Sequence, residues 1–136
     1  MSYQAQAKST QQKYVVDLSD PAGHSWQVDE PVEKGGGDTA PNPMQVLLSA
    51  LGACTTVTLQ MYADHKGWDL QEVKVDLLLD PEEPKAGEPR QIVRQVHIAG
   101  ALDDSQKARL LKVAESCPVH KLLVGEINIQ TALELN

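Results

Sequence analysis

Phenylalanine is absent from this chain of 136 residues, and only two Trp and three Tyr are present. The core must therefore be built from aliphatic side chains. Cysteine is as scarce, limited to Cys54 and Cys117. Two cysteines cannot make the disulfide framework of small secreted domains, and a chain of this length buries roughly two thirds of its unfolded surface without staples. No C-x₂₋₄-C or H-x₃₋₅-H pair occurs, which argues against a zinc set built from the two cysteines with His65 or His120. There is no G-x-S-x-G nucleophile elbow, no internal repeat and no run of 18 apolar residues. The N-terminal MSYQAQAKSTQQK has neither the apolar core nor the cleavage site of a signal peptide, so the expected location is the cytoplasm. A formal net charge of −7 argues against nucleic-acid partners and anionic membranes.

What remains is the composition of a globular protein, 41% hydrophobic and 23% charged, expected to form one domain over residues 1–136 with a flexible polar stretch at 1–12. Tyr14–Leu18 reads as a first strand, Ser19–Gly23 as a hairpin turn, and His24–Val28 as a second strand. Asp29 to Asp38 holds Gly35-Gly36-Gly37, which no strand or helix interior tolerates. It reads either as a flexible connector or as a loop whose backbone passes close to a ligand or partner. Its order of Gly and Lys does not fit a phosphate loop. The acidic Asp29-Glu30 and Glu82-Glu83 pairs read as solvated.

Asn42-Pro43-Met44-Gln45 is a helix start: Asn42 can cap, Pro43 suits the first turn, and Gln45 can complete a capping box. That helix should run to Lys66 and stop at Gly67. Its apolar residues fall on nearly every face, which predicts burial on all sides and a second subunit over part of it. Val73, Val75, Leu77 and Leu79 alternate with polar residues as in a half-buried strand. Gln91–Ala99 is the next strand, and Arg94 interrupts the apolar alternation of Ile92, Val96 and Ile98. Arg94 could point inward, but a strand-end or edge position is the simpler reading. Asp103 and Gln106 open a second helix, on which Leu110, Leu111, Ala114 and Cys117 form one stripe. Pro118 interrupts it and can start a further short turn. Ile127–Leu135 alternates as a last strand. The order ββ-α-ββ-α-β predicts an α+β fold with mostly antiparallel sheets packed on two helices.

On residue type alone, Cys54 is a small core hydrophobe, because a thiol buried in apolar surroundings is inert. Cys117 differs. If Pro118 starts a new turn, Cys117 is its N-cap, where backbone N–H groups stabilise a thiolate, with His120 and Lys121 nearby. His24, His65 and His97 read as surface or loop residues, and Trp26 and Trp68 as core or interface aromatics.

Asn42-Pro43, then Leu47-Leu48-x-Ala50-Leu51-Gly52-Ala53-Cys54-Thr55, followed by Cys117-Pro118-Val119-His120-Lys121, resembles the osmotically inducible protein C / organic hydroperoxide resistance (OsmC/Ohr) family. Asp29-Glu30-Pro31, Gly35-Gly36-Gly37, Met61-Tyr62-Ala63 and Lys66-Gly67-Trp68 extend the likeness over roughly residues 24 to 124. The resemblance implies an intertwined homodimer with shared active sites at the subunit interface. It also implies a thiol peroxidase: Cys54 attacks an organic hydroperoxide, Cys117 resolves the oxidised product, and an external dithiol resets the pair with no bound cofactor or metal.

The peroxidase members carry a Glu where this chain has Met44, and an Arg from the N-terminal half, whereas the first arginine here is Arg90. An unperturbed thiol with a pKa of ~8.5 is only about 3% thiolate at pH 7, so the missing pair bears on reactivity. Glu30, Lys34 and His120 are the candidates for thiolate or substrate support. The alternative function is a dimer of the same family that binds a small apolar ligand or senses redox state with little peroxidase activity.

Overall fold

The computed structural model describes residues 2–135 and divides into two compact units, one ending at Ser49 and the other starting at Ala50. In the first, β1 (Gln6–Ser9), β2 (Val16–Ser19) and β3 (Ser25–Val28) form an antiparallel sheet in that order. Ser19 pairs with both Gln6 and Ser25. The β2–β3 turn is held by Asp20, whose carboxylate accepts the N–H groups of Ala22 and His24 and contacts the His24 ring at 2.7 Å. Gly23 takes the left-handed conformation that this turn requires. Val15 and Val28 are buried.

The helix α1 (Pro43–Lys66) starts in the first unit and runs into the second. Its start is the expected capping box: the Gln45 N–H donates to Asn42 Oδ1 at 2.8 Å, and the Asn42 N–H donates to Gln45 Oε1 at 3.0 Å. It stops at Gly67, in the left-handed conformation. By length and composition alone α1 could also cross a bilayer, with a mean hydropathy of 1.4.

In the second unit, β4 (Glu72–Leu79) and β5 (Ile92–Ala99) pair antiparallel, with Leu77 opposite Arg94. They are followed by α2 (Asp104–Ala114) and α3 (Pro118–Val124). Asp103 and Gln106 form a second capping box at α2. The core gathers Leu59 of α1 with Leu110, Val113 and Ala114 of α2, and Tyr62, Trp68, Val73, Val96 and Ile98 pack against it. Gly52 lets β4 approach α1: a Cβ there would lie 2.7 Å from Leu77 Cδ1.

The α+β class with antiparallel sheets is as expected, but the element order is not. Gln6–Ser9, in the stretch expected to be flexible, is a strand, although its residues are all exposed; Met1 of that stretch lies outside the described residues. Tyr14 has φ 68°, so the strand expected over Tyr14–Leu18 starts later, at Val16. The α2 helix ends at Ala114, before Cys117, and Leu111 is 65% exposed rather than part of the buried stripe. Ile127–Leu135 forms no strand in this chain, and Ile127, Ile129, Leu133 and Leu135 are exposed. A strand needs a neighbour for its backbone groups, and none is present among the described residues for this segment. Likewise α1 buries one face only, through Leu51, Gly52, Thr55, Leu59 and Ala63, and leaves Val57 and Met61 exposed.

Candidate functional site

Cys117 lies where the second unit turns from α2 into α3. Its backbone is extended and Pro118 occupies the first turn of α3. Because proline fixes φ and has no N–H to satisfy, it starts a helix well, which leaves Cys117 as the cap. Its Sγ accepts the His120 backbone N–H at 3.3 Å, and its side chain is fully buried. The N-cap position expected from Cys117-Pro118 is therefore observed.

Thr55, the residue after Cys54, faces Cys117. Thr55 is fully buried, and its Oγ1 lies 3.9 Å from Cys117 Sγ. The same hydroxyl donates to the Leu51 carbonyl at 2.7 Å one helical turn back. It also accepts from Arg94 Nη1 at 3.1 Å, while Arg94 Nη2 meets His120 Nδ1 at 3.0 Å. A guanidinium only donates, so Nδ1 must be the acceptor and the neutral ring carries its proton on Nε2. Arg94 thus bridges the helix that carries Cys54 to the helix that Cys117 caps. The close approach of β4 at Gly52, with Leu77 opposite Arg94, sets the distance this bridge spans. Both cysteines are free thiols; Cys54 is half-buried.

Beside this network is a cavity of about 300 Å³, lined on its apolar side by Leu51, Ile92, Leu123 and Val124 and on its polar side by Arg94 and His120. Arg90, which also lines it, is paired with Asp80 at 2.5 Å. The Asp80 carboxyl is held below its ordinary range, chiefly by the Gln91 N–H and then by Arg90. Among the described residues no carboxylate pairs with Arg94, and no three His, Cys, Asp or Glu side chains gather as a metal set.

Arg94 is the residue that the simpler sequence reading misplaced: it sits on the inward face of β5 with Ile92, Val96 and Ile98, and its head reaches the site. The signal was the one charged residue on an apolar strand face. His120 joins the site through both its backbone and its ring.

Glu30 and Lys34 lie in the first unit. Val32–Lys34 is a single 3₁₀ turn, closed by Gly35 at φ 94°, and Lys34 is exposed. The following glycines fold back onto Asp29: a Cβ on Gly36 would lie 2.0 Å from the Glu30 carbonyl oxygen. Asp29 is buried, not solvated as expected. It accepts from Glu30 N, Gly37 N, Thr39 N and Thr39 Oγ1. Thr39, through its N–H and hydroxyl, is the main cause that holds the Asp29 carboxyl below its usual range, and the Glu30 N–H adds to it.

The family model described as OsmC-like protein matches residues 35–132. No curated protein sequence matches the chain. Among solved structures, an OsmC-like protein from Mycoplasma pneumoniae is 18% identical with a TM-score of 0.76, over 92% of this chain and 89% of that one. The organic hydroperoxide resistance protein OhrB of Bacillus subtilis is 18% identical with a TM-score of 0.62, over 92% of each chain. A candidate organic hydroperoxide resistance protein from Vibrio cholerae, with captopril bound in one of its active sites, is 24% identical with a TM-score of 0.65, over 96% and 90%. At these identities the likeness is one of fold.

Proposed function

This chain belongs to the OsmC-like protein family, and from that premise we propose that it is a thiol-dependent peroxidase for organic hydroperoxides, working through Cys54 and Cys117. The observation that carries the reading is the 3.9 Å contact of Cys117 Sγ with Thr55 Oγ1, which brings the second thiol to the residue adjoining Cys54. The half-buried Cys54 is open to a small substrate, and the fully buried Cys117 is shielded from one.

The reaction then divides between them. The Cys54 thiolate attacks the terminal oxygen of R–O–O–H, the O–O bond breaks, and the alkoxide leaves and takes a proton to become the alcohol. Cys54 is left as a sulfenic acid. The Cys117 sulfur attacks the Cys54 sulfur, the S–O bond breaks, and water leaves with the thiol proton. An external dithiol opens the resulting disulfide and is itself oxidised. No bound cofactor enters any step.

A homodimer with shared sites fits the same reading. Val57 and Met61 leave an apolar face of α1 uncovered, and Ile127, Ile129 and Leu133 alternate along a segment without a strand partner among the described residues. A second copy would supply both the cover and the pairing. Glu30 and Lys34 remain candidates for substrate support. The cytoplasm, where thiols stay reduced, is the location this chemistry needs.

The test is hydroperoxide consumption with a dithiol as reductant. Wild type should turn over, Cys54→Ser should be inactive, and Cys117→Ser should hold a sulfenic acid on Cys54. Unchanged turnover in Cys54→Ser would refute the proposal. The cavity beside Arg94 favours a second reading, a small-molecule binding or redox-sensing dimer. That reading predicts saturable binding of captopril at the cavity with no hydroperoxide consumption.

A further inference from the structure

We propose that Arg94 is the positioning residue of Cys117, holding Thr55 and His120 against its sulfur so that Cys117 attacks as the resolving thiol and leaves as the favoured thiolate. This rests on the two-thiol reading above and assigns a residue that the reading does not use.

Hydrogen-bond capacity fixes the roles. A hydroxyl has one proton and two lone pairs. In the observed state the Thr55 proton goes to the Leu51 carbonyl at 2.7 Å, and one lone pair takes Arg94 Nη1 at 3.1 Å. The Thr55 oxygen can therefore meet Cys117 Sγ, 3.9 Å away, only as acceptor of the thiol proton. When Cys117 loses that proton, the Thr55 hydroxyl can turn from Leu51 to the sulfur, and Arg94 still donates to the same oxygen. The thiolate then has two donors, the Thr55 hydroxyl and the His120 N–H at 3.3 Å. Arg94 polarises the first directly, and through its 3.0 Å bond to Nδ1 it fixes the ring of the residue that supplies the second. Bonds to ionised groups are about twice as strong as neutral ones. The Cys54 sulfur has no hydrogen-bond partner among the described residues, so the support falls on one cysteine of the pair.

The charge count agrees. Arg94 is half-buried and has no carboxylate partner among the described residues. A buried guanidinium without a counter-charge is costly to keep, and a thiolate at Cys117 would supply that charge transiently.

The consequence is directional. In thiol–disulfide exchange the better-stabilised thiolate leaves faster. An external thiolate should attack the Cys54 sulfur, forming a mixed disulfide there. The Cys54–Cys117 bond breaks, and Cys117 leaves as thiolate and later takes a proton from water. The greater exposure of Cys54 favours the same direction through access, so the variants must separate the two causes.

The experiment uses no peroxide. The full chain is oxidised with diamide, which takes up the two thiol hydrogens as it forms the disulfide. The disulfide is then opened with 2-mercaptoethanol, and the mixed disulfide is located by peptide mass. Wild type should carry it on Cys54. Opening should slow ~10-fold or more in Thr55→Val, the loss of one bond to an ionised group, and by a smaller factor in Arg94→Met, which keeps the Thr55 donor and loses its polarisation, with Arg94→Lys between Arg94→Met and wild type. A merely structural role for Arg94 would loosen the site and speed the opening, so the sign decides. Should Arg94→Met fail to fold, Thr55→Val, which keeps shape and loses the hydroxyl, carries the test alone.

Unchanged or faster opening in the folded variants, a mixed disulfide on Cys117, or no disulfide after diamide would each overturn the proposal. A wild-type protein that opens as described but consumes no hydroperoxide would remove the peroxidase reading and leave this one standing.

Discussion

Leu59 and Met61 are two residues apart on α1, about 200° around the helix, and they should respond very differently to truncation. Leu59 is fully buried in the core of the second unit, against Leu110, Val113 and Ala114. Met61 is 67% exposed. Leu59→Ala removes three buried carbons and leaves a void, a change that costs about 2–5 kcal/mol in well-packed cores. A cavity of about 240 Å³ already borders Leu59, between Val96, Ile98, Leu110 and Leu111. Part of the new void would merge with that space, which places the loss at about 2–3 kcal/mol. With a urea slope of about 1–3 kcal/mol per molar, the midpoint should fall by roughly 0.7–3 M. Met61→Ala should change the stability of the isolated chain by less than about 0.5 kcal/mol. If a second copy covers this face, its effect appears instead as a concentration-dependent midpoint. The assay is urea unfolding by circular dichroism at several protein concentrations. A loss below about 1 kcal/mol for Leu59→Ala would refute the packing described for the second unit. A Met61→Ala protein identical to wild type at every concentration would remove the dimer contact proposed for that face.

Two further predictions concern the first unit. Gly36→Ala would place a Cβ 2.0 Å from the Glu30 carbonyl oxygen and 2.9 Å from Asp29 Oδ1. Backbone, not a side-chain tip, blocks it, so the loop must open at a cost of about 3 kcal/mol or more. Faster proteolysis between Asp29 and Thr39 would report it, and an unchanged cleavage rate would contradict it. Asp29 should also make this unit acid-sensitive. Its folded carboxyl is lowered from 3.8, so its stabilisation is fully present above that value and is lost as pH falls through the lower folded value. Asp29→Asn should flatten the stability profile in that window; an unchanged profile would show that the four bonds to the carboxylate do not stabilise the fold.

The local signals in the sequence were legible where one residue type has one physical use. Asn42 with Gln45, Asp103 with Gln106, and Cys117 before Pro118 each mark a helix start, and each start is observed. The alternation of Val73 to Leu79 likewise places β4 and its inward face. Features set by distant partners were harder to read. Asp29 looks solvated beside Glu30, yet its four donors come from its neighbour and from residues eight and ten positions on. Arg94 looks like an edge residue until α1 and α3 bring Thr55 and His120 to it. The apolar alternation of Ile127–Leu135 is real, but a strand also needs a neighbour, which alternation does not supply. The same holds for α1: its apolar residues surround the helix, while the fold of one chain covers a single face.

The function proposed for the site turns on Cys54 reducing an organic hydroperoxide and Cys117 closing the cycle. The most direct measurement is the intact mass and peptide map of the reduced protein after one equivalent of cumene hydroperoxide, with no reductant present. One alcohol should be released per chain, and the protein should carry a Cys54–Cys117 disulfide and be two hydrogens lighter. Unreacted hydroperoxide beside two free thiols would contradict it.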